Sequence, residues 1–428
     1  MPQEGAGPIP LGGLYNFPPM AWFHEFLSEA QFRLKRRPTF EREPLRRVGP
    51  FLLSPFPEAR DGGLVLSADF ELAWAWRMGK HSPDARLMAR QARRNIPKLL
   101  QIFDTYRVPI TWATVGHLFL ESCSCPNGIP HPDMPRPGPF ETDKWIFQGQ
   151  DWYEVDPCSD YRKDPEYYAP DLIQAILHAQ VEHDIGLHTF SHVPFHRGVI
   201  NEDIARREIE ASIEAAARWG LTPRSWVFPG GYRDFRELLA EYGIVVYRGA
   251  KTQQELRVPT FEEKWQLWNV PTSYGVGPRP QWSFRYYVQR RRRYLDRAVA
   301  TRTVFHWWFH PSLSPELVHQ VMEPVLAYAW DLQRHHQLWV GTLYDLASYR
   351  EALRVLRVQE IAEGKDTRLR LEGRPDARFK SYPVYLELPK PEFERRLRHV
   401  EGPFQEVPHP TKRVFAITPP AVLRLLFR

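Results

Sequence analysis

The sequence predicts a parallel α/β protein, and a closed barrel in preference to an open sheet. Two observations carry this expectation. Short, unbroken apolar runs alternate with helix-patterned stretches from Leu64 onward. About seven such runs fit between Leu64 and Leu343, enough to close a ring.

In chain order, "LVLSA" from Leu64 is the first buried strand, and "DARLMARQARRNIPKLLQIFDTY" is a helix expected to be interrupted at Pro97. "ITWATV" is the next strand. Glu121 to Pro170 is then a long loop-rich insertion, and loops of that length are usually functional. The alternation resumes with "DLIQAILHAQV", whose Leu172, Ile173, Ile176 and Leu177 make a helical stripe. "IGL" is a short strand, and "EDIARREIEASIEAAARWG" is a helix closed by Gly220. There follow "SWVF", the helix "FRELLAEYG", the strands "IVVYR" and "LWNV", a helix near residues 283–300, the strand "TVFHWWF", a helix after Pro315, and "LWVGTL". Beyond Glu351, "TRLRLEG", "YPVYLELP" and "RVFAITPP" alternate polar with apolar residues, as half-buried strands do. The expected division is a Pro-rich N-terminal arm over 1–60, a barrel over 61–350 with its insertion at 121–170, and a small β-rich C-terminal appendage over 351–428.

Composition bounds the function. The chain has 428 residues, 43% hydrophobic and 25% charged, which is ordinary for a globular protein. Its 41 Pro, 15 Trp and 14% aromatic content suit stiff, aromatic-lined loops and the flat faces of sugar rings. A net charge of +6 is a mild excess, compatible with peripheral contact with an anionic membrane surface. No nucleic-acid module is present, and the basic run Arg290 to Arg293 reads as a solvated helix face. No apolar stretch reaches the roughly 18 residues of a membrane span, and no signal-peptide pattern opens the chain. Cys123, Cys125 and Cys158 form a sparse, odd set, a poor disulfide framework that points to a reducing compartment. The expectation is a cytoplasmic protein. The sequence says nothing of oligomeric state.

Reactive groups in parallel α/β folds collect where strands end. Four ends here carry suitable residues. "LVLSADFELAW" places Asp69 and Glu71 after a buried strand, so that one acid can hold a cation while the other accepts a proton. "IGLHTFSH" offers His188 and His192 at i, i+4, within reach of one ion on a turn of helix; two His and one carboxylate suit zinc and related metals. "TVFHWWFHPSL" ends with His306 and His310, the second placed to donate a proton. "SWVFPGGYRDF" ends in a Pro-Gly-Gly turn followed by Tyr232 and Arg233. A lone HxxxH is more often coincidence than a site. The strand before it and the acidic pair shift the balance to function. Trp74, Trp76, Trp152, Tyr153 and Trp268 flank these regions as cleft or core residues, and His117 in "TVGHLF" is open between packing and substrate contact.

These segments resemble the polysaccharide deacetylase family, carbohydrate esterase family four. "SADFE" resembles its first motif and "HTFSH", inside "EHDIGLHTFSH", its second. "VFPGGY" resembles the third and "WFHPSL" the last, over roughly Asp61 to Tyr349. The resemblance implies a distorted (β/α) barrel, one divalent metal, most commonly zinc, and hydrolysis of N-acetyl groups on an amino sugar in a polysaccharide or glycan precursor. It implies that Glu71 (or Asp69), His188 and His192 hold the metal, with Asp69 as general base and His310 as general acid. Trp74, His117, Tyr232 and Arg233 would touch the N-acetylated saccharide. The family's third-motif arginine, which orients the catalytic Asp, has no counterpart in "VFPGGY"; Arg233 lies nearest. Two alternatives stay open: hydrolysis of a non-sugar amide or another C–N bond on the same scaffold, or a catalytically silent carbohydrate-binding relative.

Overall fold

The computed structural model describes residues 45–80, 83–251 and 256–428, together with Glu25 and Leu27. The expected N-terminal arm lies outside the described residues except for these two and the segment from Leu45.

A curled, mostly parallel sheet forms the main body. Its strands are β1 (Gly62–Phe70), β2 (Thr111–Thr114), β3 (Asp184–Leu187), β4 (Ser225–Trp226), β5 (Val246–Lys251), β6 (Leu267–Thr272), β7 (Tyr274–Gly275), β8 (Val304–Phe309) and β9 (Leu338–Gly341). Hydrogen bonding orders them β6-β5-β4-β3-β2-β1-β8-β7, all parallel, with β9 also beside β1 and Thr260–Glu262 antiparallel on the β6 edge. β6 pairs with β5, while β7, which follows it after Ser273, pairs with β8. One stretch of chain therefore bonds to both ends of the row and curls it round.

β1 is buried along its whole length, as a strand covered on both faces must be, and that explains its unbroken apolar run. Close packing also dictates Gly186 in β3: a Cβ there would sit 2.9 Å from the Ser225 carbonyl oxygen of β4.

Helix α1 (Ala85–Thr105) starts at Asp84, which accepts a hydrogen bond from Leu87 N at 2.7 Å. It does not break at Pro97, contrary to expectation. Ile96, Leu99, Leu100 and Phe103 anchor it in the core on either side, and this packing outweighs the one missing backbone hydrogen bond. The basic run also differs from expectation. Arg290 and Arg291, in α2 (Phe284–Thr301), are buried, and the Arg291 guanidinium lies 3.7 Å from the Tyr274 ring centre and 4.7 Å from that of Tyr287. Four consecutive helical residues span more than a full turn, so some must face inward, and here aromatic faces receive the cation.

From Arg357 the chain is mostly strand. One sheet holds Arg357–Glu363, Asp366–Glu372, Ala421–Phe427 and Leu397–Glu401. A second holds Val384–Pro389, Lys412–Ile417 and Gln405–Val407, completed by Arg47–Val48 and Phe51–Leu53. Phe51, Leu53, Leu369, Leu386, Phe415 and Leu423 share their core.

In the insertion, Cys125 and Cys158 are joined by a disulfide, their Cα atoms 5.7 Å apart. This corrects the reading of the cysteines as a poor disulfide framework: the insertion folds back and brings the two together. The part of the compartment expectation that drew on the cysteines loses that support. Among the described residues, no helix is long and apolar enough to cross a membrane.

Candidate active site and metal centre

The carboxyl ends of β1, β3, β4, β5 and β8 open into one cavity of about 470 Å³. Asp69, Glu71, His188, His192, Arg233, Arg248 and His310 line it with Trp76, Trp145 and Trp308.

β1 delivers Asp69 as its penultimate residue and Glu71 just beyond its end. Glu71 is the hub. Its Oε2 lies 3.0 Å from His192 Nε2 and 3.3 Å from His188 Nε2, and its Oε1 lies 3.1 Å from His310 Nε2. All are buried except His310, which faces the cavity with 29% of its side chain exposed. Burial would raise Glu71, but the His310 and His192 charges outweigh it and hold its carboxyl well below the usual range. Burial lowers His192. It acts the same way on His310, where Glu71 overrides it and leaves the imidazole raised.

The two histidines arrive on a turn that is not helical, contrary to the i, i+4 helix expected. Thr189 and His192 both have left-handed backbone, φ +59° and +62°, rare for non-glycine residues and rarest for a β-branched one. Glu208 holds the turn: its Oε2 accepts Phe190 N at 2.8 Å and Ser191 N at 2.9 Å, and its Oε1 accepts Ser191 Oγ at 2.6 Å. Trp152 Nε1 donates to Ser191 Oγ at 2.8 Å, so the insertion braces the turn as well.

The residues fit a divalent cation. His188 Nδ1 faces the Val227 carbonyl at 2.8 Å, which puts the ring hydrogen on Nδ1 and leaves a bare lone pair on Nε2. That Nε2 is buried without a hydrogen-bond partner and points at the Glu71 carboxylate, two acceptors facing each other. Two imidazole nitrogens and a carboxylate, their ligating atoms within 4.8 Å of one another, are a borderline-soft donor set suited to zinc and its neighbours.

Asp69 is held separately. Arg248 of β5 grips it through both guanidinium nitrogens, Nη2 donating to Oδ2 at 2.7 Å and Nη1 to Oδ1. Burial would raise Asp69, yet the Arg248 charge outweighs it and the carboxyl is lowered. Arg248 Nη1 also donates to Ser67 Oγ at 3.2 Å, and Ser67 donates to His306 Nε2 at 3.0 Å. His306 Nδ1 in turn donates to the Pro271 carbonyl at 3.2 Å. The Asp69 Oδ2 lies 3.8 Å from His310 Nε2, so a low carboxylate and a raised imidazole face each other across the cavity.

Five expected site residues thus converge: Asp69, Glu71, His188, His192 and His310. Arg233 lines the cavity, but the cation on Asp69 is Arg248, which the sequence reading missed. A lone arginine in the apolar strand "IVVYR" was the available signal, since a buried charge on such a strand needs a partner. Three other expected residues are not brought into the lining. Trp74 and His117 are fully buried and do not line the cavity; their rings pack together 4.5 Å apart beneath the insertion. Tyr232 stands outside the lining, its hydroxyl bonded to Asp143 and its ring against Trp145.

No family model matches the chain, and no curated protein matches it. Among solved structures it is similar to a Mycobacterium smegmatis protein assigned as a polysaccharide deacetylase, at 16% identity over 73% of this chain and 96% of that one, TM-score 0.49. It is also similar to a peptidoglycan N-acetylglucosamine deacetylase, at 14% identity over 69% and 90% of the two chains, TM-score 0.33. A 4-alpha-glucanotransferase from Thermococcus litoralis is similar at 12% identity over 66% of this chain and 39% of that one, TM-score 0.37. With TM-scores below 0.5, these three similarities add nothing to the chemistry, which rests on the residues above.

Proposed function

We propose that this chain is a metal-dependent hydrolase that removes N-acetyl groups from an amino sugar in a polysaccharide or glycan precursor. One observation carries the reading: Glu71, His188 and His192 converge beside an Asp69 held by Arg248, with His310 across the same cavity.

Glu71, His188 and His192 would hold the ion, and Asp69, already committed to Arg248, would stay free of it. When bound, a divalent ion supplies Lewis acidity to a water and to the acetamide carbonyl. Asp69 takes a proton from the attacking water as its oxygen bonds to the acyl carbon. His310 Nε2 gives its proton to the nitrogen as the C–N bond breaks, so acetate and a free amine leave. Trp76, Trp145 and Trp308 offer the cavity flat apolar faces of the kind sugar rings stack on. The catalytically silent alternative drew on the missing third-motif cation, and Arg248 supplies a cation from another strand. Residues 61–350 are read as the catalytic unit, with 351–428 as an appendage.

Purified protein loaded with zinc or cobalt, given N-acetylated oligosaccharides beside small non-sugar acetamides, tests the substrate class. Acetate release from the sugars is expected. Turnover of the small amides alone would favour the non-sugar hydrolase.

A further inference from the structure

A second cluster of metal-ligating side chains lies under the insertion, apart from the cavity. His117 comes from the turn Gly116–Phe119 that follows β2; Cys123, His131 and Asp156 come from the insertion. Their ligating atoms all fall within 4.8 Å of one another. Asp156 Oδ2 is 2.8 Å from His117 Nε2, 2.7 Å from His131 Nε2 and 3.1 Å from Cys123 Sγ, and the two Nε2 atoms are 3.0 Å apart.

Hydrogen atoms alone satisfy this arrangement poorly. The Tyr167 carbonyl, 3.1 Å from His117 Nδ1, takes that ring's hydrogen and leaves Nε2 as a lone pair facing a carboxylate. Putting a second proton on His117 places a charge on a ring with no exposed surface and aims two imidazole N–H groups at one carboxylate oxygen, with the Cys123 thiol shared between that oxygen and Tyr168 OH at 3.0 Å. A divalent ion removes the conflict. Two neutral imidazoles, one carboxylate and one thiolate give four ligands, and the two negative charges balance the ion's two positive ones. The Cys123 thiol proton goes to solvent on binding. The outer contacts are those of a built site: Tyr168 OH and Cys158 N donate to the other Asp156 oxygen, at 2.7 and 2.9 Å, and turn Oδ2 inward.

We propose that His117, Cys123, His131 and Asp156 form a structural site for a zinc-class divalent ion, which ties the insertion to the end of β2. Four protein ligands leave no open position, the mark of a structural rather than a catalytic site. The consequence reaches the active site, because Trp152 and Tyr153 of the same insertion bond to Ser191 and Glu208 beside His192.

The test is cobalt(II) loading of the full-length, chelator-stripped protein. The catalytic ligands are nitrogen and oxygen, and with Cys125 and Cys158 paired, Cys123 is the free thiol. A thiolate-to-cobalt charge-transfer band therefore reports this site alone, whether or not the protein is a deacetylase. The band is expected to saturate at about one equivalent assigned to this site, to persist in the His188→Ala/His192→Ala double variant, and to vanish in Cys123→Ser. No band in the folded, cobalt-saturated protein, or a band that survives in Cys123→Ser, overturns the proposal. Should that variant not fold, alkylation of the intact protein decides: bound metal is expected to slow Cys123 alkylation at least about tenfold, and equal rates with and without metal overturn the site.

Discussion

Arg248 of β5 holds Asp69 of β1 with both guanidinium nitrogens, across 179 residues of sequence. A bidentate pair fixes direction as well as charge. It keeps Asp69 ionised and turned towards the cavity, and it sets Asp69 apart from Glu71, the acid that faces the two histidines. The pair itself is fixed from behind by Ser67 and His306.

Replacing Arg248 with Gln removes the cation and is expected to lower kcat about a hundredfold or more, with metal content unchanged. Arg248→Lys keeps the charge but loses the fork, so it should recover only part of the rate. Steady-state kinetics beside metal analysis on the same preparations check this; unaltered kcat in Arg248→Gln contradicts the role.

The division of labour between the acids predicts different effects on metal. His188→Ala, His192→Ala and Glu71→Gln each remove a ligand and should weaken binding at the active site by at least about the tenfold to hundredfold that losing an outer contact costs. Asp69→Asn should bind as the parent does, and equilibrium dialysis against a competing chelator reads the difference. Loss of metal in Asp69→Asn would place that acid among the ligands.

His306 predicts a pH dependence of stability. Burial and the neighbouring Arg248 push its pKa down to about 3, from an ordinary 6.5. Because the folded pKa is depressed, its contribution is present above pH 6.5 and is lost as pH falls towards 3, where the unfolded chain binds a proton the folded one refuses. The slope from this residue approaches about 1.4 kcal/mol per pH unit within that window. Urea midpoints between pH 4 and 7 measure it. His306→Gln, less stable at neutral pH, should show a flatter slope, and an unchanged slope contradicts the assignment.

Asn95 of α1 donates both amide hydrogens to the loop after His310, at 2.8 Å to the Pro311 carbonyl and 2.6 Å to that of Leu313. Asn95→Ala leaves two buried carbonyls without donors and should cost about 1–3 kcal/mol of stability. It should also lower kcat, because His310, the proposed general acid, loses its brace. Denaturant melts and kinetics on one preparation separate the two effects.

Much of this site was legible because strand ends put reactive residues into local motifs. Asp69, Glu71, His188, His192 and His310 each lie at the end of an apolar run or within a few residues of it. Arg248 was less legible, since its partner lies in a distant strand and only the curl of the sheet joins them. Trp74 and His117 also sit beside motifs, but neighbourhood in sequence does not give side-chain direction, and both turn inward beneath the insertion. The insertion itself has no periodicity, so nothing in its sequence announced that His131 and Asp156 would meet His117 or that Cys125 would meet Cys158. Arg290 and Arg291 show the same limit: composition suggested solvent, while the aromatic rings around them came from elements read separately.

The central claim is that Asp69 drives hydrolysis of a sugar acetamide beside a metal held by Glu71, His188 and His192. Acetate and free amine are to be quantified after zinc-loaded parent and zinc-loaded Asp69→Asn are incubated with an N-acetylated oligosaccharide. The account predicts equal amounts of acetate and amine from the parent, and a rate at least about a hundredfold lower from the variant at the same metal content. Equal rates from the two proteins, or no acetate from the metal-loaded parent, would contradict it.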